Sequence, residues 1–293
     1  MTIDPTTASW ADEYPFESHF LQLDGARLHY VDEGPRDAPV LLMVHGNPTW
    51  SFYYRNLIKA FSDRFRCIVP DHIGCGLSDK PQDYEYTLQR RIDDVDALLT
   101  HLGVERFSVA VHDWGGAIGM GVCSRHPDAV DKIVIFNTAA FRDVNIPFSI
   151  NICRIPGFGE LAIKGFNGFV LTAQIRAIYD RAKLSGPIRE AYLAPYDSWE
   201  NRVAIHAFVK DIPMKANHPS WATLGEVEDA LAQFSDRPAL IIWGDDDFCF
   251  TPHFRERWQK VFPDAEVHAL ADASHFVIED ATDQVVGWMS DFL

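Results

Sequence analysis

Apolar and polar residues alternate along residues 19–34 around a central Asp24-Gly25 pair. A period of two broken by a two-residue turn signal predicts a β-hairpin, which would open an antiparallel edge of a sheet. Four short apolar runs follow, at residues 40–44, 65–70, 107–111 and 133–136. Runs of that length predict strands buried on both faces, and the segments between them carry helical periodicity. Strands alternating with helices predict an α/β protein with a mostly parallel sheet.

The helices have legible faces. Leu88, Ile92, Val95, Leu99 and Leu102 form one apolar stripe that begins near Thr87 and stops at Gly103, and the same periodicity turns Arg90, Arg91 and Asp94 to solvent. A second helix is expected from Thr251, with Pro252 in its first turn and Phe254, Trp258 and Val261 buried. A last one starts near Thr282. Between residues 141 and 235 the alternation fails, leaving helical fragments in a stretch rich in Phe, Ile, Pro and Gly. Strand-like runs resume at residues 239–243 and 266–270. This pattern predicts a core domain of residues 1–140 and 236–293, with residues 141–235 inserted as a helical cap after the sixth strand.

Composition narrows the function. A chain of 293 residues, 47% hydrophobic, can bury one large core, so one domain with an insertion fits better than two independent domains. Forty-two acidic against 26 basic residues give a formal charge of -16. That charge disfavours nucleic acid and anionic membrane surfaces as partners and suits a small neutral, apolar substrate. Cys67, Cys75, Cys123, Cys153 and Cys249 are odd in number and show no C-x-x-C spacing, so neither a disulfide framework nor a zinc knuckle is indicated. Residues 1–20 lack a basic and then apolar export signal, and no run is long enough for a membrane helix. A cytoplasmic protein is the default expectation, with oligomerisation left open.

The candidate chemistry starts at His112-Asp113-Trp114-Gly115-Gly116, directly after the strand-like run at 107–111 and before a helical segment. Small residues after Asp113 permit the sharp strand-to-helix turn known as a nucleophile elbow, which presents a side chain above the carboxyl end of the sheet. The plainer role for Asp113 is a helix N-cap. Two partners of a triad follow in the order this fold requires. One of Asp245, Asp246 and Asp247 follows a late strand, and His275 follows the last one. Spacing leaves the choice among the three aspartates open. His45, His112, His126 and His253 show no metal-ligand spacing, so neither a metal nor a cofactor is expected.

An ionised aspartate can displace a leaving group from saturated carbon without a base, forming an alkyl ester. Clearing that ester with water requires a histidine to take a proton and an acid to orient it. Asn47, in His45-Gly46-Asn47-Pro48-Thr49-Trp50, and Trp114 can offer side-chain N–H groups to a leaving halide and backbone N–H groups to an oxyanion. Their plainer roles are turn chemistry and packing.

His-Gly-Asn-Pro-Thr-Trp, Asp-Trp-Gly-Gly and Trp-Gly-x-x-Asp together resemble the haloalkane dehalogenases of the α/β-hydrolase fold over nearly the whole chain. The resemblance implies an eight-stranded sheet, Asp113 as nucleophile, Asp247 as acid, His275 as base, and Asn47 with Trp114 as the halide-binding pair. It implies hydrolysis of neutral haloalkanes, through an aspartyl ester, to alcohol and halide. Only Asn137 lies near the end of the sixth strand, so the chain resembles the branch called subfamily III. That branch also resembles the β-lactone decarboxylases of olefin biosynthesis, which form a cis-alkene and CO2, and the shared motifs do not separate the two activities. Epoxide hydrolases resemble it less, although Tyr179, Tyr192 and Tyr196 are available to polarise an oxirane. Phe141, Phe148, Phe166, Phe169, Phe208, Phe248 and Phe276 are candidates for an apolar pocket wall, with two or three expected to line it.

Overall fold

In the computed structural model, which describes residues 4–293, the hairpin is β1 (His19–Leu23) and β2 (Ala26–Glu33), with Leu23 opposite Ala26 and Gly25 at a φ of 81° in the turn. Of the amino-terminal segment read for an export signal, residues 1–3 lie outside the described residues. The other strands are β3 (Val40–Val44), β4 (Arg66–Pro70), β5 (Phe107–Asp113), β6 (Val130–Thr138), β7 (Ala239–Gly244) and β8 (Glu266–Leu270). All eight form one sheet in the order β1-β2-β4-β3-β5-β6-β7-β8. β2 is antiparallel to β1 and β4, and every pairing from β4 onward is parallel.

The unbroken apolar runs are explained by two cores, one on each face. On β3, Leu42 and Val44 face one core while Leu41 and Met43 face the other. On β6, Ile133 and Ile135 are separated in the same way from Val134 and Phe136. Helices α2 (Leu88–His101) and α3 (Gly115–Arg125) cover the first face, and α1 (Arg55–Phe61) with the helix Thr282–Phe292 covers the second. Thr87 caps α2 by accepting the Arg90 N–H, and Gly103 follows with a φ of 63°. Thr251 and Pro252 begin the expected helix Pro252–Val261, in which Phe254 and Trp258 are buried and Val261 is half-buried.

One expectation is corrected here: Arg91 and Asp94 do not face solvent. Arg91 is 2% exposed, pairs with Asp211 at 3.1 Å and lies 3.7 Å from the centre of the Phe208 ring. Asp94 is 3% exposed and accepts from the Tyr84 hydroxyl at 2.7 Å and Arg90 Nε at 3.1 Å. The helix Val203–Asp211, through Asp211 and Phe208, and the segment before α2, through Tyr84 and Tyr86, cover this side of α2, and a single-stripe reading of the helix has no means of seeing them.

From the end of β6 to the start of β7 the regular elements are all helical, and they hold a small core of their own around Ile150, Ile163, Val170, Tyr196, Ile205 and Val209. Among the described residues no helix is long and apolar enough to cross a membrane.

Candidate active site

The site is built at the carboxyl ends of β3, β5, β7 and β8. Asp113 ends β5 with a φ of 53°, a left-handed conformation that is costly for a residue with a side chain and persists where the surroundings enforce it. The surroundings here are tight. A β-carbon at Gly46 would run into the Asp113 carboxylate, and one at Gly115 would run into the Val44 carbonyl, so only glycine permits these approaches. Thr138 Oγ1 donates to the Asp113 carbonyl and braces the turn from β6. The N-cap of α3 is Trp114, with no side-chain capping bond, so the plainer N-cap role of Asp113 does not apply.

Asp113 is 7% exposed, and its two carboxylate oxygens face different partners. Oδ1 accepts the backbone N–H of Asn47 at 2.5 Å. Oδ2 lies 3.5 Å from His275 Nε2. On the other side of the imidazole, Nδ1 donates to Asp247 Oδ2 at 2.8 Å. Among the three candidate acids, geometry selects Asp247: Asp245 pairs with Arg255, and Asp246 is exposed. His275 also stacks on Phe250, with ring centres 5.7 Å apart and an interplanar angle of 16°.

Electrostatics follow from this burial. Desolvation pushes the Asp113 carboxyl above the ordinary carboxylate range, against the opposing pull of His275 and the backbone N–H groups of Asn47 and Trp114. Burial resists charging His275, but Asp247 and then Asp113 outweigh it and hold the imidazole above its usual value. Esterifying Asp113 would remove one of those carboxylates. The imidazole would then become easier to deprotonate and a better base.

Asn47 and Trp114 both line a cavity over Asp113. The Asn47 amide N–H reaches the Ile205 carbonyl at 3.4 Å, long enough for a ligand to compete, and its Oδ1 is buried with no partner among the described residues. Trp114 leans on Phe208 at 5.4 Å while presenting part of its surface to the cavity. The cavity measures about 130 Å³ and is walled by side chains such as Phe141, Ile212 and Phe254. A second cavity, about 260 Å³, also reaches Asp113 and is bordered by His275, Ala162, Ala173 and Phe248. Of the seven candidate phenylalanines, Phe141, Phe169 and Phe248 line these spaces. Phe148 and Phe166 are exposed, while Phe208 and Phe276 are buried in the protein core. Phe158, Phe250 and Phe254 line the cavities without having been singled out.

Two supporting residues, Asn137 and His112, were named from the sequence but not for the roles they take. Asn137, at the end of β6, donates Nδ2 to Asp247 Oδ2 at 3.0 Å and to the Gly244 carbonyl at 2.9 Å, and accepts the Gly244 N–H at 2.8 Å. It thereby ties Asp247 to two strands. His112 is fully buried and donates Nε2–H to the His275 carbonyl at 2.8 Å, and burial holds its own imidazole well below the usual value, hence neutral. The tyrosines considered for epoxide chemistry are elsewhere. Tyr192 donates to Glu279, Tyr196 to the Thr49 carbonyl, and Tyr179 is exposed; none lines either cavity.

Comparison with known proteins places this geometry. Residues 39–282 match the model of the alpha/beta hydrolase fold family. Over 95% of its length the chain is 47% identical to a cis-3-alkyl-4-alkyloxetan-2-one decarboxylase of Shewanella oneidensis, covering 89% of that protein. It is 33% identical to haloalkane dehalogenase 2 of Mycobacterium tuberculosis, with 93% of each chain covered. Among solved structures, haloalkane dehalogenase of Bradyrhizobium elkani superposes with a TM-score of 0.85 at 28% identity, covering 94% of this chain and 98% of that one. With its mostly parallel eight-stranded sheet and flanking helices, the chain belongs to the α/β-hydrolase family.

Proposed function

We propose that this protein decarboxylates cis-3,4-dialkyl β-lactones to cis-alkenes, with Asp113 as nucleophile and residues 141–235 serving as a cap over the substrate. The observation that carries this reading is the gap in similarity. Identity is 47% and 44% to two cis-3-alkyl-4-alkyloxetan-2-one decarboxylases, against 33% to a haloalkane dehalogenase, over comparable spans. This reverses the order of the expectation drawn from the resemblance, in which dehalogenation came first and decarboxylation was the alternative.

The chemistry closes without water. Asp113 Oδ2 attacks lactone C4 from the face opposite the ring oxygen, and the C4–O bond breaks with its electron pair going to that oxygen. The substrate becomes a carboxylate on C3, linked through C4 as an ester of Asp113. Inversion at C4 leaves the new C4–O bond antiperiplanar to the C3–carboxylate bond. CO2 then leaves, the C3–carboxylate electron pair becomes the C3=C4 bond, and the ester C–O pair returns to Asp113. Alkyl groups that were cis on the ring end cis on the alkene. In its proton-bearing form, which Asp247 and Asp113 favour, His275 stabilises the carboxylate released by ring opening, together with N–H groups of Asn47 and Trp114.

The second reading, hydrolytic dehalogenation of a neutral haloalkane, uses the same first step with halide as leaving group. The presence of Asn47 and Trp114 beside Asp113 favours it. A paired assay separates the two: alkene released from a synthetic cis-β-lactone, and halide released from 1-bromobutane and 1,2-dibromoethane. Alkene release lost in Asp113→Ala is the expected result; halide release with no alkene from any β-lactone would overturn the proposal.

A further inference from the structure

Resting on the β-lactone reading, we infer that the two cavities meeting at Asp113 are separate seats for the two alkyl chains of one substrate. Chain length at C3 and chain length at C4 are therefore selected independently.

The geometry is specific. The cavities share Asn47, Asp113, Ile150, Phe169 and Cys249 and are otherwise lined by different residues, so they border one another at the nucleophile. The first arm runs past Ala139, Ile146, Ile212 and Leu224, and the second past Ile152, Phe158, Ala162 and Ala173. Both are walled mainly by carbon, and the ionisable groups that meet them include the reacting pair Asp113 and His275 and, in the first arm, Asp143. Asp143 is tied to His253 at 2.9 Å and Arg257 at 2.8 Å. A cis-3,4-dialkyl oxetanone has the matching shape. Its chains spring from adjacent ring carbons on one face, and the head group must sit over Asp113 while both chains leave it. A one-chain substrate fills one arm and leaves apolar wall of the other facing water, which forgoes the favourable burial available there.

Ala139 and Ile212 border only the first arm and Ala162 and Ala173 only the second, so the arms can be plugged separately. Ala139→Leu and Ile212→Phe narrow the first arm; Ala162→Leu and Ala173→Leu narrow the second. Each variant is given four synthetic cis-β-lactones, with short or long chains at C3 and C4 in every combination, and kcat/KM for alkene release is expressed as a long-to-short ratio at each carbon. Ratios taken within one variant are independent of the fraction correctly folded. The two first-arm variants should lower the ratio at one ring carbon by about tenfold or more, and the two second-arm variants should lower it at the other. If all four act on the same carbon, on both equally, or on neither, the separate seats are refuted while the decarboxylase reading stands. If the wild-type protein releases no alkene from any of the four lactones, the decarboxylase reading fails and the seats fall with it.

Discussion

Replacing His275 with phenylalanine tests how the proposed ester on Asp113 is resolved. The ring stacks on Phe250 and is 5% exposed, so phenylalanine fills the same space, and Asp247 keeps the N–H groups of Asn137 and Cys249 as donors. Folding should survive at a cost of about 1–3 kcal/mol for the lost charged hydrogen bond. Chemistry should divide by mechanism. Hydrolysis of an alkyl ester loses its general base, a loss of about a hundredfold to ten-thousandfold. With bromobutane the variant should release one equivalent of halide and stop, carrying the added mass of a butyl group. Elimination of CO2 needs no base. The charge 3.5 Å from His275 Nε2 is worth at most ~5 kcal/mol at an effective dielectric near 20. Ring opening moves that charge onto a carboxylate in the same cavity, so only the difference counts, about 1–2 kcal/mol or roughly tenfold in rate. Alkene release followed by gas chromatography should therefore continue at about a tenth of the wild-type rate. A variant that instead accumulates an ester from the lactone and releases no alkene would refute elimination as the route.

Because burial raises Asp113 and the proposed attack needs its carboxylate form, activity should fall as pH drops through a value above the ordinary aspartate range near 3.9; kcat/KM for alkene release against pH checks this, and an acid limb at or below that range would contradict it. Asn137→Ala strips Gly244 of two partners and Asp247 of one donor, and should lower stability by about 2–3 kcal/mol in urea melts while slowing catalysis. Asp94 is pushed up from 3.8 to about 6 by burial, against the pull of Tyr84 and Arg90. A raised folded pKa contributes stability below the unfolded value that is lost as pH rises through the folded one, here at most ~3 kcal/mol between pH 4 and 7. Asp94→Asn should flatten that part of the stability curve, and an unchanged slope would argue against it.

Much of the scaffold is written locally. Period two around Asp24-Gly25, short apolar runs, and caps such as Thr87 are properties of neighbouring residues, and the strands and helices formed where they indicated. The elbow was legible for the same reason, since Gly46, which packs against the Asp113 carboxylate, and Gly115, which packs against the Val44 carbonyl, lie in two short motifs. What needed the tertiary structure was any choice among equals. Asp245, Asp246 and Asp247 are adjacent in sequence, and the loop after β7, tied by Asn137 and the Cys249 N–H, turns one of them to His275. The apolar stripe of α2 foretold one buried face, while Asp211 and Phe208, with Tyr84 and Tyr86, buried Arg91 and Asp94 as well. Phe148 and Phe169 look alike as letters, yet one is exposed and the other stands where two cavities meet. Periodicity records which way a side chain points from its own backbone. What it meets there is decided by other segments, some more than a hundred residues away as for Asn137 and Asp247, and the space left between them determines which substrate can reach Asp113.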